Sequence, residues 1–289
     1  MLRPVLAPGL RVLRRSRGEL QVGLRAEVRL RDTEAVRRTL GQLVRGETVP
    51  DDAETRDVLA ELAPVLVDSS ALLHPHIEAG DVAAAAALDP SGYPSRLAAR
   101  GRALISIRGA LPGVDPAALL AATGLRTTDA PDASPTVVLV LCPGEIDRAE
   151  LDALVRARTP HLLLRVVEGA ALLGPFVEPG RTACLRCIDA HRSVDDPYAA
   201  TLAARHASAR ADRRDGVSEP VDTALATLAL AWAVRDLVTH AEGDRPSTWS
   251  GTVWLAPALA SVTQTQWLRH PACGCSWLPD EQPSSTMAG

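Results

Sequence analysis

The first 70 residues alternate between short apolar runs and turn residues, a pattern typical of small antiparallel sheets. Three short strands are predicted there, over 10–15, 19–24 and 27–30. Two amphipathic helices follow, and the candidates for their N-caps are Asp32 or Thr33 and then Asp51 or Asp52. A meander followed by helices predicts a small winged-helix-type α+β module over residues 1–70.

From residue 101 onward the pattern changes to longer elements in which strand and helix alternate. Continuous apolar, β-branched runs predict strands that are covered on both faces, at 103–107, 136–142 and 161–167. Helical periodicity predicts the helices that follow the first two strands, over about 115–122 and 147–158. This alternation favours a doubly wound, mostly parallel α/β sheet.

An apolar helix and two strand-like stretches complete this second domain, over 222–240, 248–256 and 260–269. We predict that the domain spans residues 101–279 and that the tail, 280–289, is frayed. Between the two domains, residues 71–100 are expected to form a linker with an alanine-rich helix. The polar stretch 189–220 is expected to be an irregular crossover.

Composition excludes several kinds of chemistry. All 31 basic residues are Arg, so no lysine can form a Schiff base or bind phosphate in a nucleotide loop. The N-terminus lacks an apolar core of secretory length, and the longest apolar run, 224–234, is shorter than the roughly 20 residues that cross a bilayer. We therefore expect a cytoplasmic protein with reduced thiols and no membrane partner.

Charge is unevenly spread along the N-terminal half. Residues 1–45 hold eleven Arg against four acids, whereas residues 46–100 hold ten acids against three Arg. The basic segment suits an acidic partner, or it is simply a solvated surface. A winged-helix DNA-binding or regulatory protein would need a basic recognition helix, but residues 51–63 carry five acids and one Arg. We therefore expect no nucleic-acid partner.

Four of the five cysteines form two tight pairs that lie far apart in the sequence: Cys184 with Cys187, and Cys273 with Cys275. Each pair can place two sulfurs on one side of an ion, and four thiolates are a ligand set that Zn²⁺ prefers. Such a site has no open coordination position, so the expected zinc is structural. Unlinked buried thiols or a redox pair are the alternatives, and His270 is an alternative ligand. Cys142, at a strand end, is expected to be a small apolar residue.

The segments "GPFVEPGRTACLRCIDAHR" (174–192) and "RHPACGC" (269–275), set around an α/β sheet, resemble the ThiF/MoeB adenylating fold. More narrowly, they resemble the ThiF-like component of azoline-forming cyclodehydratases, which is preceded by a PqqD-like peptide clamp. The resemblance implies a non-catalytic subunit for ribosomal peptides of the bacteriocin type. Its partners would be a precursor leader peptide and a YcaO-type cyclodehydratase that uses ATP, and a homodimer is possible.

The resemblance also assigns residues. The leader would add as a strand beside a helix near 55–62, and the edge that receives it would be formed by Arg25, Glu27, Val28, Arg29, Leu30 and Arg31. The arginines would suit an acidic leader. The nucleotide loop of active members is reduced here to Gly109 and Gly113, which implies that the chain is not catalytic alone. A ThiF-type ATP-dependent adenylyltransferase is the alternative function.

Overall fold

The computed structural model describes residues 3–25, 28–130, 132–209 and 219–277. Glu27, part of the expected crossover and the tail 280–289 therefore lie outside the described residues. The chain divides into two compact units, residues 1–101 with 121–124, and residues 102–120 with 125–289. In the described part of the chain, no helix has both the length and the apolar character needed to cross a membrane.

The first unit contains two small antiparallel sheets and four helices. Its described elements are β1 (Pro4–Leu6), β2 (Val12–Ser16), β3 (Glu19–Val22), β4 (Val28–Arg31), α1 (Glu34–Arg45), α2 (Ala53–Leu62), β5 (Leu66–Asp68), α3 (Ala79–Leu88) and α4 (Tyr93–Arg102). Strands β2, β3 and β4 form a meander in that order, and β1 pairs with β5. The two predicted N-caps are confirmed: Thr33 accepts a hydrogen bond from the N–H of Val36, and Asp52 accepts one from Thr55.

The meander and its helices enclose one apolar core. Val22 and Leu30 of the sheet pack against Leu40 of α1 and Leu62 of α2. The alanine-rich helix α3 is confirmed, but residues 71–100 are not a free connection. Val82, Tyr93 and Leu97 from this segment pack against Ala7 and Val67, and the Tyr93 hydroxyl donates to the carbonyl of Asp68.

The second unit contains the remaining elements, which are β6 (Leu104–Gly109), α5 (Pro116–Ala122), β7 (Arg126–Thr128), β8 (Val137–Pro143), α6 (Arg148–Arg156), β9 (His161–Val167), β10 (Ala170–Val177), α7 (Leu185–Asp195), α8 (Ala199–Ser208), α9 (Thr223–Ala241), β11 (Gly251–Leu255) and β12 (Val262–Gln266). They form a seven-stranded sheet in the order β12-β11-β10-β9-β8-β6-β7. The α/β class is thus confirmed. The sheet is mixed, because β7, β6, β8 and β9 are parallel while β10, β11 and β12 are antiparallel.

Strand β10 has no counterpart among the predicted strands. It pairs with β9 through a tight turn at Glu168 and Gly169, both of which have positive φ, as a two-residue hairpin requires. Every residue of β10 is buried. Its sequence therefore shows no apolar–polar alternation, and it merges with the cysteine segment that follows it.

Helices cover both faces of this sheet, as a doubly wound fold requires. On one face, Leu139 and Leu164 pack with Ala229 of α9. On the other face, Val140 packs with Leu151 of α6, and the same cluster includes Ile188 of α7. Alternate residues of β8 thus enter different cores, which explains why the whole strand is apolar.

Asp236 is a buried carboxylate of α9 that holds the segment before β11. It accepts hydrogen bonds from the N–H of Ser247 at 2.8 Å, from the N–H of Thr248 at 3.0 Å and from the Thr248 hydroxyl at 2.5 Å. Three donors satisfy a charge that would otherwise be costly to bury.

We expect Asp236→Ala to lower the free energy of unfolding by about 3 kcal/mol, because it leaves buried N–H and O–H groups without an acceptor. Urea denaturation followed by circular dichroism measures this loss. Asp195→Ala, at an exposed position in α7, is the control and should change stability by less than about 0.5 kcal/mol. Equal effects of the two substitutions would contradict the role of Asp236.

Candidate functional site

The fold brings the four paired cysteines into one buried cluster. Cys184 is the N-cap residue of α7 and Cys187 lies in its first turn, while Cys273 and Cys275 lie in the segment after β12. The four sulfurs lie within 4.8 Å of one another. The Sγ–Sγ distance is 3.8 Å between Cys184 and Cys187, 3.6 Å between Cys184 and Cys273, and 3.3 Å between Cys187 and Cys275. All four are free thiols rather than disulfides.

These distances fit a tetrahedral metal site. Four thiolates at about 2.3 Å from Zn²⁺ are separated from one another by roughly 3.8 Å. The hydrogen bond with Cys187 raises the pKa of Cys184, and the same contact lowers the pKa of Cys187, so that Cys187 ionises first. The four sulfurs are close enough to hold one metal ion, and four thiolate ligands would leave it no open coordination position.

The sheet positions the second cysteine pair over α7. The N–H of Trp267 donates to the carbonyl of Ser250, and the hydroxyl of Ser250 accepts from the N–H of Ala183. The ring of His191 contacts the carbonyl of Leu268 through Nε2 at 2.9 Å and packs against the ring of His270, with 4.9 Å between centroids. The cluster of four sulfurs does not include His270. It follows that the strands β11 and β12 bring the two distant pairs together.

The second unit also contains a buried ionic network. The guanidinium of Arg148 binds the carboxylate of Asp189 through two hydrogen bonds of 2.8 and 2.9 Å, and it donates to Glu145 at 2.5 Å. The guanidinium of Arg165, which is 1% exposed, also donates to Glu145. Burial by itself would raise the pKa of Glu145, but the charges of Arg165 and Arg148 lower it below its usual value.

Sequence reasoning missed this network, although one signal was present. Arg165 interrupts the apolar strand "HLLLRVV", and a charged residue inside a covered strand needs a buried partner of opposite charge. The sequence could not show that Glu145 is the partner of Arg165 or that Asp189 belongs to the same network, because both lie 20 or more residues from Arg165 in the sequence.

The expected remnant of a nucleotide loop has a packing role. Gly109 has a φ of 77°, and a side chain there would overlap the carbonyl of Leu141 in the neighbouring strand. Gly113 has a φ of 78° and lies against the side chain of Thr223. Both positions need glycine for contacts within the protein, and neither needs a phosphate to explain it.

Burial and the charge of Glu145 raise the pKa of Cys142 to about 11, which leaves this thiol protonated at neutral pH.

A cleft of about 560 Å³ lies in the first unit, between the edge strand β4 and helix α2. Of the residues predicted to bind a peptide, Arg29, Leu30 and Arg31 line this cleft. Val28 is buried in the core below the sheet, and Arg25 is exposed but does not line the cleft. The opposite wall is formed by α2, the helix that the resemblance placed beside this edge near 55–62. Sequence reasoning did not name the side chains of this wall, which are Glu54, Asp57, Val58 and Glu61.

Solved structures share this fold at low sequence identity. The heterocyclase TruD matches with a TM-score of 0.69 and 17% identity over 96% of this chain and 43% of its own length. A heterocyclase in complex with substrate and cofactor matches with a TM-score of 0.69 and 15% identity over 96% of this chain and 40% of its own. E. coli MccB with AMPCPP and MccA matches with a TM-score of 0.62 and 11% identity over 94% of this chain and 99% of its own.

This chain thus spans less than half the length of the heterocyclases that it matches. No protein-family model and no curated protein sequence matches it. The likenesses agree with the predicted ThiF-like α/β fold. At these sequence identities, the matches show similarity of fold alone.

We expect Glu145→Gln to lower the free energy of unfolding by about 3 kcal/mol at pH 7, because it leaves the buried Arg165 without a counter-charge. The pKa of Glu145 is lowered by folding, so its contribution is fully present above about pH 4.5, begins to fall below that value, and is lost as the pH falls through the lower pKa of the folded state. Urea titrations at pH 7, 5 and 4 measure this.

Asp152→Asn is the matched control, since it breaks the more exposed ion pair between Asp152 and Arg186. It should cost less than about 1 kcal/mol. If Glu145→Gln were as mild as this control, or if its effect were the same at pH 4 as at pH 7, the network would not have the assigned importance.

Proposed function

We propose that the chain is a non-catalytic peptide-binding and docking subunit of a thiazole- or oxazole-forming cyclodehydratase system that acts on ribosomally made peptides. The observation that carries this proposal is the cleft between β4 and α2. Strand β4 is the outer strand of its sheet, so its backbone N–H and C=O groups on that side can pair with an added strand. The leader segment of a precursor would bind there as a fourth strand.

The comparisons support this context. One of the matched heterocyclases has been solved with substrate and cofactor, and MccB has been solved with MccA. The chain covers less than half of the heterocyclases. In our proposal the rest of their length corresponds to a YcaO-type partner that uses ATP, and the second unit of this chain docks that partner.

The cysteine cluster would hold a structural zinc ion in this unit. Cys184, Cys187, Cys273 and Cys275 would supply all four ligands, and zinc would contribute folding free energy rather than chemistry. The ion would tie the end of the sheet to the start of α7, which stabilises the surface offered to a partner.

Adenylation is the second candidate, because MccB matches over almost its whole length and has been solved with a nucleotide analogue. Three features of this chain disfavour it. Gly109 and Gly113 are needed for packing, Pro112 has no N–H to donate to a phosphate, and Glu145 is already neutralised by two arginines. Pyrophosphate release from ATP in the presence of a precursor peptide would favour adenylation over our proposal.

We expect a fluorescein-labelled leader peptide from a precursor encoded beside this gene to bind with a dissociation constant in the micromolar range. Because strand addition protects the outward N–H groups of the edge strand, hydrogen exchange in β4 should slow when peptide binds. Exchange in β2, at the other edge of the sheet, is the internal control and should not change. No anisotropy change at micromolar protein, with no protection of β4, would contradict the proposal.

We expect about one equivalent of zinc in protein purified under reducing conditions, as measured by elemental analysis. Cys187→Ser should lose the zinc and unfold the second unit at lower temperature, because one thiolate ligand is missing. Cys142→Ser is the matched control, since Cys142 lies outside the cluster, and it should retain both zinc and stability. Protein without stoichiometric zinc would contradict the assignment.

A further inference from the structure

The cleft between β4 and α2 has walls of opposite charge. Helix α2 contributes Glu54, Asp57 and Glu61, whose spacing of three and four residues places them on one face of the helix. Strand β4 contributes Arg29 and Arg31, which are two residues apart and therefore lie on the same side of the strand. A peptide in the cleft thus has an acidic helix on one side and a basic strand face on the other.

Most of these charges are not neutralised within the protein. In the described part of the chain, no salt bridge involves Arg29, Arg31, Asp57 or Glu61. Glu54 is paired with Arg38 at 3.3 Å. Glu19 is the cross-strand neighbour of Arg31, but its carboxylate pairs with Arg15 instead. The two walls therefore keep the capacity to pair with charges of a ligand.

The floor of the cleft is apolar. Leu30 of β4, Val36 of α1 and Val58 of α2 line it, and all three belong to the core of the unit. In a strand added to β4, alternate side chains point to opposite faces. One set would lie on the side of this floor and of the acidic wall of α2. The other set would lie on the side of Arg29 and Arg31 and would be their cross-strand neighbours.

We propose that the cleft is specific for an extended peptide whose two faces differ in charge: acidic side chains beside Arg29 and Arg31, alternating with apolar and basic side chains that face Leu30, Asp57 and Glu61. This inference rests on the proposed peptide binding. It changes the expectation from the sequence, which considered the arginines alone and favoured an acidic leader. The acidic wall would repel such a leader.

The test uses four labelled synthetic peptides of equal length, and fluorescence anisotropy measures their binding to the full chain. One peptide alternates acidic residues with apolar and basic ones, and a second has the same composition in separate acidic and basic blocks. The third is acidic and apolar, and the fourth is basic and apolar. We expect the alternating peptide to bind at least tenfold more tightly than the other three, because several exposed ion pairs of modest strength add together. Added salt should reduce this preference.

Charge-reversed variants test whether each wall sets the charge preference of the cleft. Asp57→Lys with Glu61→Lys should shift the preference to the acidic peptide, and Arg29→Glu with Arg31→Glu should shift it to the basic peptide. Asp51→Lys is the control, because Asp51 is an exposed acidic residue just before α2 that does not line the cleft. Circular dichroism verifies that each variant is folded.

The outcomes separate the two proposals. If none of the four peptides nor the leader peptide binds, and β4 gains no protection from exchange, peptide binding itself is wrong. If peptides bind and protect β4, but the acidic peptide binds the wild-type protein most tightly, the two-faced specificity is wrong and peptide binding stands. Variants that leave the order of preference unchanged would also overturn the specificity.

Discussion

The convergence of four sulfurs is the constraint on which the second unit depends. Cys184 and Cys187 sit at the start of α7, whereas Cys273 and Cys275 follow the last strand of the sheet. For the two pairs to touch, the chain must return to the start of α7 after it has formed α9, β11 and β12. A shared metal ion would make this return energetically favourable, since a preformed set of thiolates alone would repel when ionised.

In the buried ionic network of the second unit, opposite charges are paired with one another. Arg165 and Arg148 share the carboxylate of Glu145 at the carboxyl ends of β8 and β9, the edge at which parallel sheets usually bind ligands. A carboxylate that two guanidinium groups already hold is a poor ligand for a nucleotide's metal ion. The nearby glycines at 109 and 113 are likewise occupied with packing. The second unit therefore has a doubly wound α/β sheet in which this edge is filled by the protein's own side chains.

The first unit differs, since Arg29, Arg31, Asp57 and Glu61 form no salt bridge within the described part of the chain. Strand β4 is the outer strand of its sheet; Asp57 and Glu61 lie on the side of its apolar residue Leu30, and Arg29 and Arg31 lie on its other face. In the proposed peptide complex, backbone pairing at this edge would provide affinity that does not depend on sequence. Discrimination between peptides would then come from the side chains on the two walls.

The sequence by itself determined most of the local elements and a candidate set of metal ligands. Thr33 and Asp52 were each one of two neighbouring candidates for a helix cap, the apolar run of β8 was recognisable as a covered strand, and the four cysteines were recognisable as candidate ligands, because each signal depends on neighbouring residues or on residue type. Only the tertiary structure decided that the cysteines meet, that Arg165 lies on Glu145, that β10 completes a hairpin, and that acidic side chains of α2 line the cleft beside β4. These contacts join residues far apart in the chain, and their geometry depends on how the intervening elements pack rather than on any pattern within them.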